Sequence, residues 1–209
     1  MSRWFVWWCL LTVSTVVQSQ IAAPLAEPNL DLWSAGSVKA MVNTADGGRI
    51  IGGNFTHVGG LPRRNLARLR LDGTVDPAWS ADVDGSVVAL AIDAAGLVYL
   101  AGNFTQVAGL ARGGLARLLP NGQTDGWAPA PLYFNSPGSV YALLAVGNQV
   151  YAAGSFTVIA GQARGGLARF DADSGALDGS WSPLASLGEM TVLASDGQFL
   201  YVNVGPSFS

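Results

Sequence analysis

Apolar runs of five to seven residues, broken by Gly, Asn or Asp, fill the chain from about residue 37 onward. Val38–Val42, Val87–Ile92, Val140–Val146 and Met190–Ala194 are such runs. Each leads through a short polar turn into a second run. The turns are Asp46-Gly47-Gly48, Asp93-Ala94-Ala95-Gly96, Gly147-Asn148-Gln149 and Ser195-Asp196-Gly197. Short apolar segments bounded by turn residues predict strands, and this spacing joins them as four hairpins, near 38–53, 87–102, 140–154 and 190–204. No segment sustains a 3.6-residue period, so the chain is expected to be all-β.

The runs belong to a repeat. Asn54-Phe55-Thr56 recurs as Asn103-Phe104-Thr105 and Ser155-Phe156-Thr157, 49 and 52 residues apart. A Gly-ended strand precedes each copy. A Gly-containing turn and a Leu-Ala-Arg strand follow: Leu66-Ala67-Arg68, Leu115-Ala116-Arg117 and Leu167-Ala168-Arg169. Next comes a tight turn, Asp72-Gly73, Asn121-Gly122 or Ser174-Gly175, whose geometry needs positive φ. An Asp and a Trp close the unit: Asp76 with Trp79, Asp125 with Trp127, and Asp178 with Trp181. Asp31 with Trp33 reads as the tail of a preceding unit.

Three clear antiparallel strands and a short fourth near the Trp, repeating at about 50 residues, predict β-propeller blades. Strands apolar on both faces must be covered on both, and blades cover one another. The full repeats run approximately 54–102, 103–154 and 155–204, within a propeller region of 33–209. That is about 3.5–4 blades, so the reading is a partial propeller. Ser207-Phe208-Ser209 begins what looks like another Phe motif, and the chain is expected to be an arc or a truncated fragment of a longer repeat protein.

The first twenty residues are different in kind. Arg3 precedes a nearly unbroken apolar run, Trp4–Val17, and Val17 and Ser19 suit a signal-peptidase cut. Residues 1–19 are therefore expected to be a signal peptide, and 20–32 a linker or lead-in strand. Cleavage would remove the single Cys, Cys9, and leave ten basic residues against fourteen acidic. The expected compartment is secreted, extracellular or cell-surface, with the periplasm also open. No stable membrane insertion is expected after cleavage.

Charge narrows the functions. With 12% charged residues, a net charge of -3 and a pI near 4.9, nucleic acid is not an expected partner. One Cys and one His (His57) leave no set for a His/Cys metal site, and no cofactor is expected. Asp82–Gly85 and Asp171–Gly175 lack the ligand pattern of a calcium loop and read as turns. Asn54-Phe55-Thr56 and Asn103-Phe104-Thr105 are formal glycosylation sequons that coincide with the repeat motif.

Two arginine columns run through the repeats. Arg63, Arg112 and Arg164 occupy the turn after Phe-Thr. Arg68, Arg117 and Arg169 lie in the following strand. The strand column is expected to pair with Asp76, Asp125 and Asp178, because a buried guanidinium needs a partner. The turn column is a candidate for anionic ligands. Trp33, Trp79, Trp127 and Trp181 repeat by position and read as core. Symmetry is broken by the insertion Pro131–Pro137, which sets Tyr133 and Phe134 side by side in a loop. These two are the other binding candidates.

The Gly-x-Phe-Thr, Leu-Ala-Arg, Asp-Gly and Asp-x-x-Trp elements over residues 31–209 resemble the delta-60 repeat family of bacterial secreted and surface proteins. More distantly they resemble kelch-type blades. The resemblance implies a propeller and no particular chemistry. The expected function is an exported, non-catalytic module that binds or scaffolds, with a carbohydrate or protein ligand, or further propeller repeats, as partner. The rival is a propeller glycoside hydrolase or lyase, in which acidic residues outside the repeat register, such as Asp93 and Glu189, would converge.

Overall fold

The computed structural model describes residues 36–134, 136–183 and 190–204. The expected signal peptide, the lead-in 20–32, Asp31, Trp33, Asn135, Glu189 and the Phe motif at 207–209 lie outside the described residues. Within them the structure is all-β.

The first blade comprises β1 (Ser37–Asn43), β2 (Arg49–Asn54), a small hairpin of β3 (His57–Val58) and β4 (Leu61–Pro62), and β5 (Leu66–Leu69). The second repeats this order with β6 (Ser86–Ile92), β7 (Val98–Asn103), β8 (Gln106–Val107), β9 (Leu110–Ala111) and β10 (Leu115–Leu118). The insertion then contributes β11 (Leu132–Tyr133) and β12 (Ser136–Pro137). The third blade follows as β13 (Ser139–Val146), β14 (Gln149–Ser155), β15 (Val158–Ile159), β16 (Gln162–Ala163) and β17 (Leu167–Asp171). A last hairpin, β18 (Met190–Ser195) with β19 (Leu200–Val204), opens the fourth.

Each full blade is an antiparallel meander in the order β1-β2-β5, β6-β7-β10 or β13-β14-β17. The expected fourth strand is reduced to a single bridge: Leu69 to Val75, Leu118 to Thr124 and Phe170 to Leu177. The turn aspartate follows one residue after the bridge and turns the chain away, so no longer strand can form.

All four hairpins share one irregularity. The first strand bulges between Val38 and Ala40, Val87 and Ala89, Val140 and Ala142, and Met190 and Val192. In the first three blades a glycine faces the bulge. A Cβ on Gly53, Gly102 or Gly154 would lie about 2 Å from the carbonyl oxygen of Ser37, Ser86 or Ser139. That close approach explains the Gly that ends each second strand.

The first strands β1, β6, β13 and β18 neighbour one another in sequence order, which puts them next to a common axis. The core lies between sheets. One cluster joins Ile50 and Leu66 of the first blade to Val87 and Leu90 of the second. Another joins Tyr99 and Ala101 to Val140 and Leu143 of the third. A third joins Ala153 and Leu167 to Met190, with Leu193 packed against it. Because side chains alternate across each strand, a blade presents one apolar set to the sheet before it and another to the sheet after.

Candidate functional site

At each of the three repeats one aspartate gathers both arginines and positions the Trp turn. Asp125 is the clearest. Its Oδ2 accepts Arg117 Nε at 2.6 Å, its Oδ1 accepts the Trp127 amide at 2.8 Å, and its carbonyl accepts Arg112 Nη2 at 2.5 Å. Asp178 forms an ion pair with Arg169, accepts the Trp181 amide and the Ser180 hydroxyl, and offers its carbonyl to Arg164. Asp76 lies 3.5 Å from Arg68 and 3.4 Å from Arg70, and its carbonyl accepts Arg63 at 2.9 Å. Arg68 also binds Asp46 at 2.5 Å, in the turn between β1 and β2. The Ser180 hydroxyl, and then Arg169, hold the Asp178 carboxyl far below the ordinary carboxylate range.

The turn arginines are thus directed inward. Arg63 and Arg164 are buried and Arg112 is half-buried. Each donates to the carbonyl of the residue before it and to the carbonyl of its blade's aspartate. The Nε of all three is buried without a hydrogen-bond partner among the described residues. A guanidinium so enclosed ties its loop to the Asp turn and presents little surface to a solute.

Two of the tryptophans bind the next blade. Trp79 Nε1 donates to Pro120 O at 3.1 Å, and Trp127 Nε1 to Gly175 O at 2.7 Å. Each ring lies over the positive-φ glycine of that blade's turn. A Cβ on Gly122 would come 3.0 Å from Trp79, and one on Gly175 would come 2.4 Å from Trp127. Trp127 is further wedged edge-on between Tyr99 and Phe170, at 5.5 and 5.1 Å. Burial pushes the Tyr99 phenol up to about 12, against a bond to Arg117 that pulls it down. Trp181 stacks edge-on with Tyr151 of its own blade and carries the Arg169 guanidinium 4.9 Å from its ring.

Two neighbouring junctions differ in one respect. Between the first and second blades, the chain after Trp79 bridges Val83 to Val107. Asp84 there accepts the Thr105 amide, the Gln106 amide and the Thr105 hydroxyl. Burial works against the charge, but these bonds win and hold the Asp84 carboxyl below its usual range. Between the second and third blades Leu132 pairs instead with Val158, the repeat equivalent of Gln106 and not of Val107. The insertion then replaces Asp84 by the β11–β12 hairpin. Thr157 N donates to Leu132 O at 2.8 Å, and Phe134 N donates to Thr157 Oγ1 at 3.1 Å. The result is a four-stranded sheet, β12-β11-β15-β16.

That hairpin carries Tyr133, 46% exposed, and Phe134, 73% exposed. Their rings meet edge-on at 4.7 Å, and Phe134 adopts φ of 45°. The expected loop is therefore a pinned turn that presents two aromatics. Beside it lies a cavity of about 500 Å3 between the two blades. Phe104, Thr105 and Asn103 form one wall, and Pro131, Leu132 and Pro137 the other. Its lining side chains carry no formal charge.

Asp93, the acidic candidate among the described residues, is engaged elsewhere. Asp93 accepts the Tyr99 hydroxyl at 3.0 Å and the amides of Ala95 and Leu97. Asp171 caps Ser174 through that residue's amide and hydroxyl. His57 Nδ1 lies 3.0 Å from Thr56 Oγ1.

Sequence reading missed two features. The small hairpins β3–β4, β8–β9 and β15–β16 look like simple Gly turns in sequence. Their turn pairs, Gly59-Gly60, Ala108-Gly109 and Ala160-Gly161, all have positive φ, the two-residue hairpin geometry. The small pair ending in Gly after Val58, Val107 and Ile159 was the available signal. The reach of Trp79 and Trp127 into the next blade had no signal at all, because a bond between repeats leaves no mark on spacing within one.

Compared with known families, residues 44–78, 96–126 and 148–180 match the model described as a domain of unknown function (DUF5122) beta-propeller. Each matched segment runs from a first-hairpin turn, through the Leu-Ala-Arg strand, to its Asp turn. No curated protein matches the chain.

Proposed function

We propose that these β-propeller repeats form an exported binding module whose ligand contact is the β11–β12 hairpin with the adjoining cavity. The observation that carries the reading is the broken symmetry. At one junction a carboxylate cap is exchanged for a pinned pair of exposed aromatics beside a neutral cavity. Elsewhere the arginines, aspartates and tryptophans of the repeat are engaged in bracing their own blade or in binding it to the next. Export is supported by the leader-like residues 1–19 and by the likeness of the repeats to the delta-60 repeats of bacterial secreted and surface proteins.

The chemistry favours a neutral ligand with an apolar face and hydroxyls, as in a carbohydrate. Rings at Tyr133 and Phe134 offer stacking surface, while Thr105 and Asn103 offer hydrogen bonds. Affinity electrophoresis through gels containing neutral polysaccharides tests this. Wild-type protein should be retarded by at least one polysaccharide. Tyr133→Ala and Phe134→Ala should each weaken retardation about tenfold, taking roughly 1.5 kcal/mol per ring. Unchanged retardation in the double variant, or none in the wild type across the panel, rejects the reading.

A further inference from the structure

One position of the second strand carries a phenol in each described hairpin except the first. Opposite the arginine of the Leu-Ala-Arg strand stand Ile50 (Arg68), Tyr99 (Arg117) and Tyr151 (Arg169). In the last hairpin Tyr201 faces Ala194 as Ile50 faces Val42. Two of these tyrosines donate to an aspartate in the turn of their own hairpin. Tyr99 reaches Asp93 Oδ2 at 3.0 Å, and Tyr201 reaches Asp196 Oδ2 at 2.7 Å. Tyr99 is buried beneath the third blade, with its hydroxyl 3.3 Å from Ala172 O and its ring centroid 6.0 Å from the Arg117 guanidinium carbon.

Ile50 is shorter than a tyrosine and has no hydroxyl. Beside it, between the first and second blades, lies a cavity of about 280 Å3. Ile92, Val98 and Pro120 of the second blade form its apolar wall, and Arg68 and Asp46 of the first blade its polar one. The counterparts of that apolar wall at the next junction, Ala145, Val150 and Ala172, gather around Tyr99. The cavity therefore occupies the place that the Tyr99 ring fills one blade later. It is roomy enough, since about 150 Å3 holds a benzene ring. Its acceptor is also in place. The Thr44 hydroxyl, followed by the Gly48 amide and Arg68, holds the Asp46 carboxyl below its usual range, so it is ionised at neutral pH. Those three donors leave one of the roughly four acceptor sites of a carboxylate open.

We propose that this cavity binds a small phenol, whose ring takes the place of the tyrosine ring missing at Ile50 and whose hydroxyl donates to Asp46. Arg68 then stands to the bound ring as Arg117 stands to Tyr99. Ile50 keeps the place of the tyrosine stem, so phenol itself fits better than its 4-alkyl derivatives. The site lies at the first junction, apart from the β11–β12 hairpin, and does not depend on that hairpin having a ligand.

The test is a titration of the whole chain with phenol, followed in methyl NMR spectra. Phenol should shift the methyls of Ile50, Ile92 and Val98 and saturate by roughly millimolar concentration. Toluene has the same shape without the donor and should bind about tenfold more weakly. Asp46→Ala should abolish that preference and leave toluene binding unchanged. Ile50→Tyr restores a built-in ring, so it should lose phenol binding and melt at a higher temperature than the wild type. The proposal is overturned by no saturable shift in the wild type, by shifts confined to methyls outside the cavity, or by toluene binding as tightly as phenol. A preference that survives in Asp46→Ala overturns it as well, as does an Ile50→Tyr protein that still binds phenol or melts below the wild type.

Discussion

Replacing Gly175 by alanine attacks the link between the second and third blades at its tightest point. Two costs add. Gly175 has φ of 71°, which for an L-residue with a Cβ costs roughly 1–2 kcal/mol. The new Cβ also lands 2.4 Å from Trp127 Cδ1 and 2.9 Å from its Nε1. Trp127 cannot yield freely, because Tyr99 and Phe170 flank it and its indole N–H is bonded to the Gly175 carbonyl. Overpacking of this kind costs roughly 1–3 kcal/mol. The expected loss is about 3 kcal/mol, which for a chain of this size lowers Tm by roughly 6–12 °C.

Gly161→Ala is the control, since Gly161 has φ of 72° and nothing lies within 4 Å of its added Cβ. It should lose only the backbone part, about 1 kcal/mol. Urea titration followed by Trp fluorescence measures both. A second control removes the obstacle. In Gly175→Ala with Trp127→Ala the steric cost disappears, so the double variant should be less destabilised than the sum of the singles. If Gly175→Ala matches Gly161→Ala within about 0.5 kcal/mol, the Trp seat is not a tight contact and the reasoning fails.

Two further outcomes follow from the repeats. Ala108 and Ala160 stand at positive φ where the first repeat has Gly59, so Ala108→Gly and Ala160→Gly should each raise stability by about 1 kcal/mol in urea titrations; a loss at both would contradict the hairpin geometry. Asp178 is held below the ordinary carboxylate range in the folded protein. Its contribution is therefore present in full above the pKa of the unfolded chain and is lost as pH falls through the folded value. Stability should decline below about pH 4, and Asp178→Asn should flatten that decline; an unchanged acid profile in the variant would show that the Ser180 and Arg169 bonds contribute nothing.

The strands and their order were legible because apolar runs and turn residues act locally. Val87–Ile92, for example, is readable as a strand whatever it packs against. The Asp-Gly and Asn-Gly turns were legible for the same reason. What the chain concealed lies between repeats or depends on direction. A turn arginine looks equally suited to a funnel and to a carbonyl clamp, since spacing does not say which way the side chain of Arg63 or Arg164 points. The fourth strand at Val75, Thr124 and Leu177 shrank to one bridge because each is followed at once by an aspartate that caps a turn. The insertion at Pro131–Pro137 was visible as a break in register, but its role in replacing the Asp84 cap needed the pairing of Leu132 with Val158.

Successive sheets fan around one axis, and the first three are fastened where Trp79 and Trp127 reach into the turn of the next. Proton NMR reads that contact directly through nuclear Overhauser effects from the indole N–H of each Trp. Strong cross-peaks from Trp79 Hε1 to Gly122 and from Trp127 Hε1 to Gly175 are the predicted result. Cross-peaks from those indoles confined to residues of their own blades would contradict it.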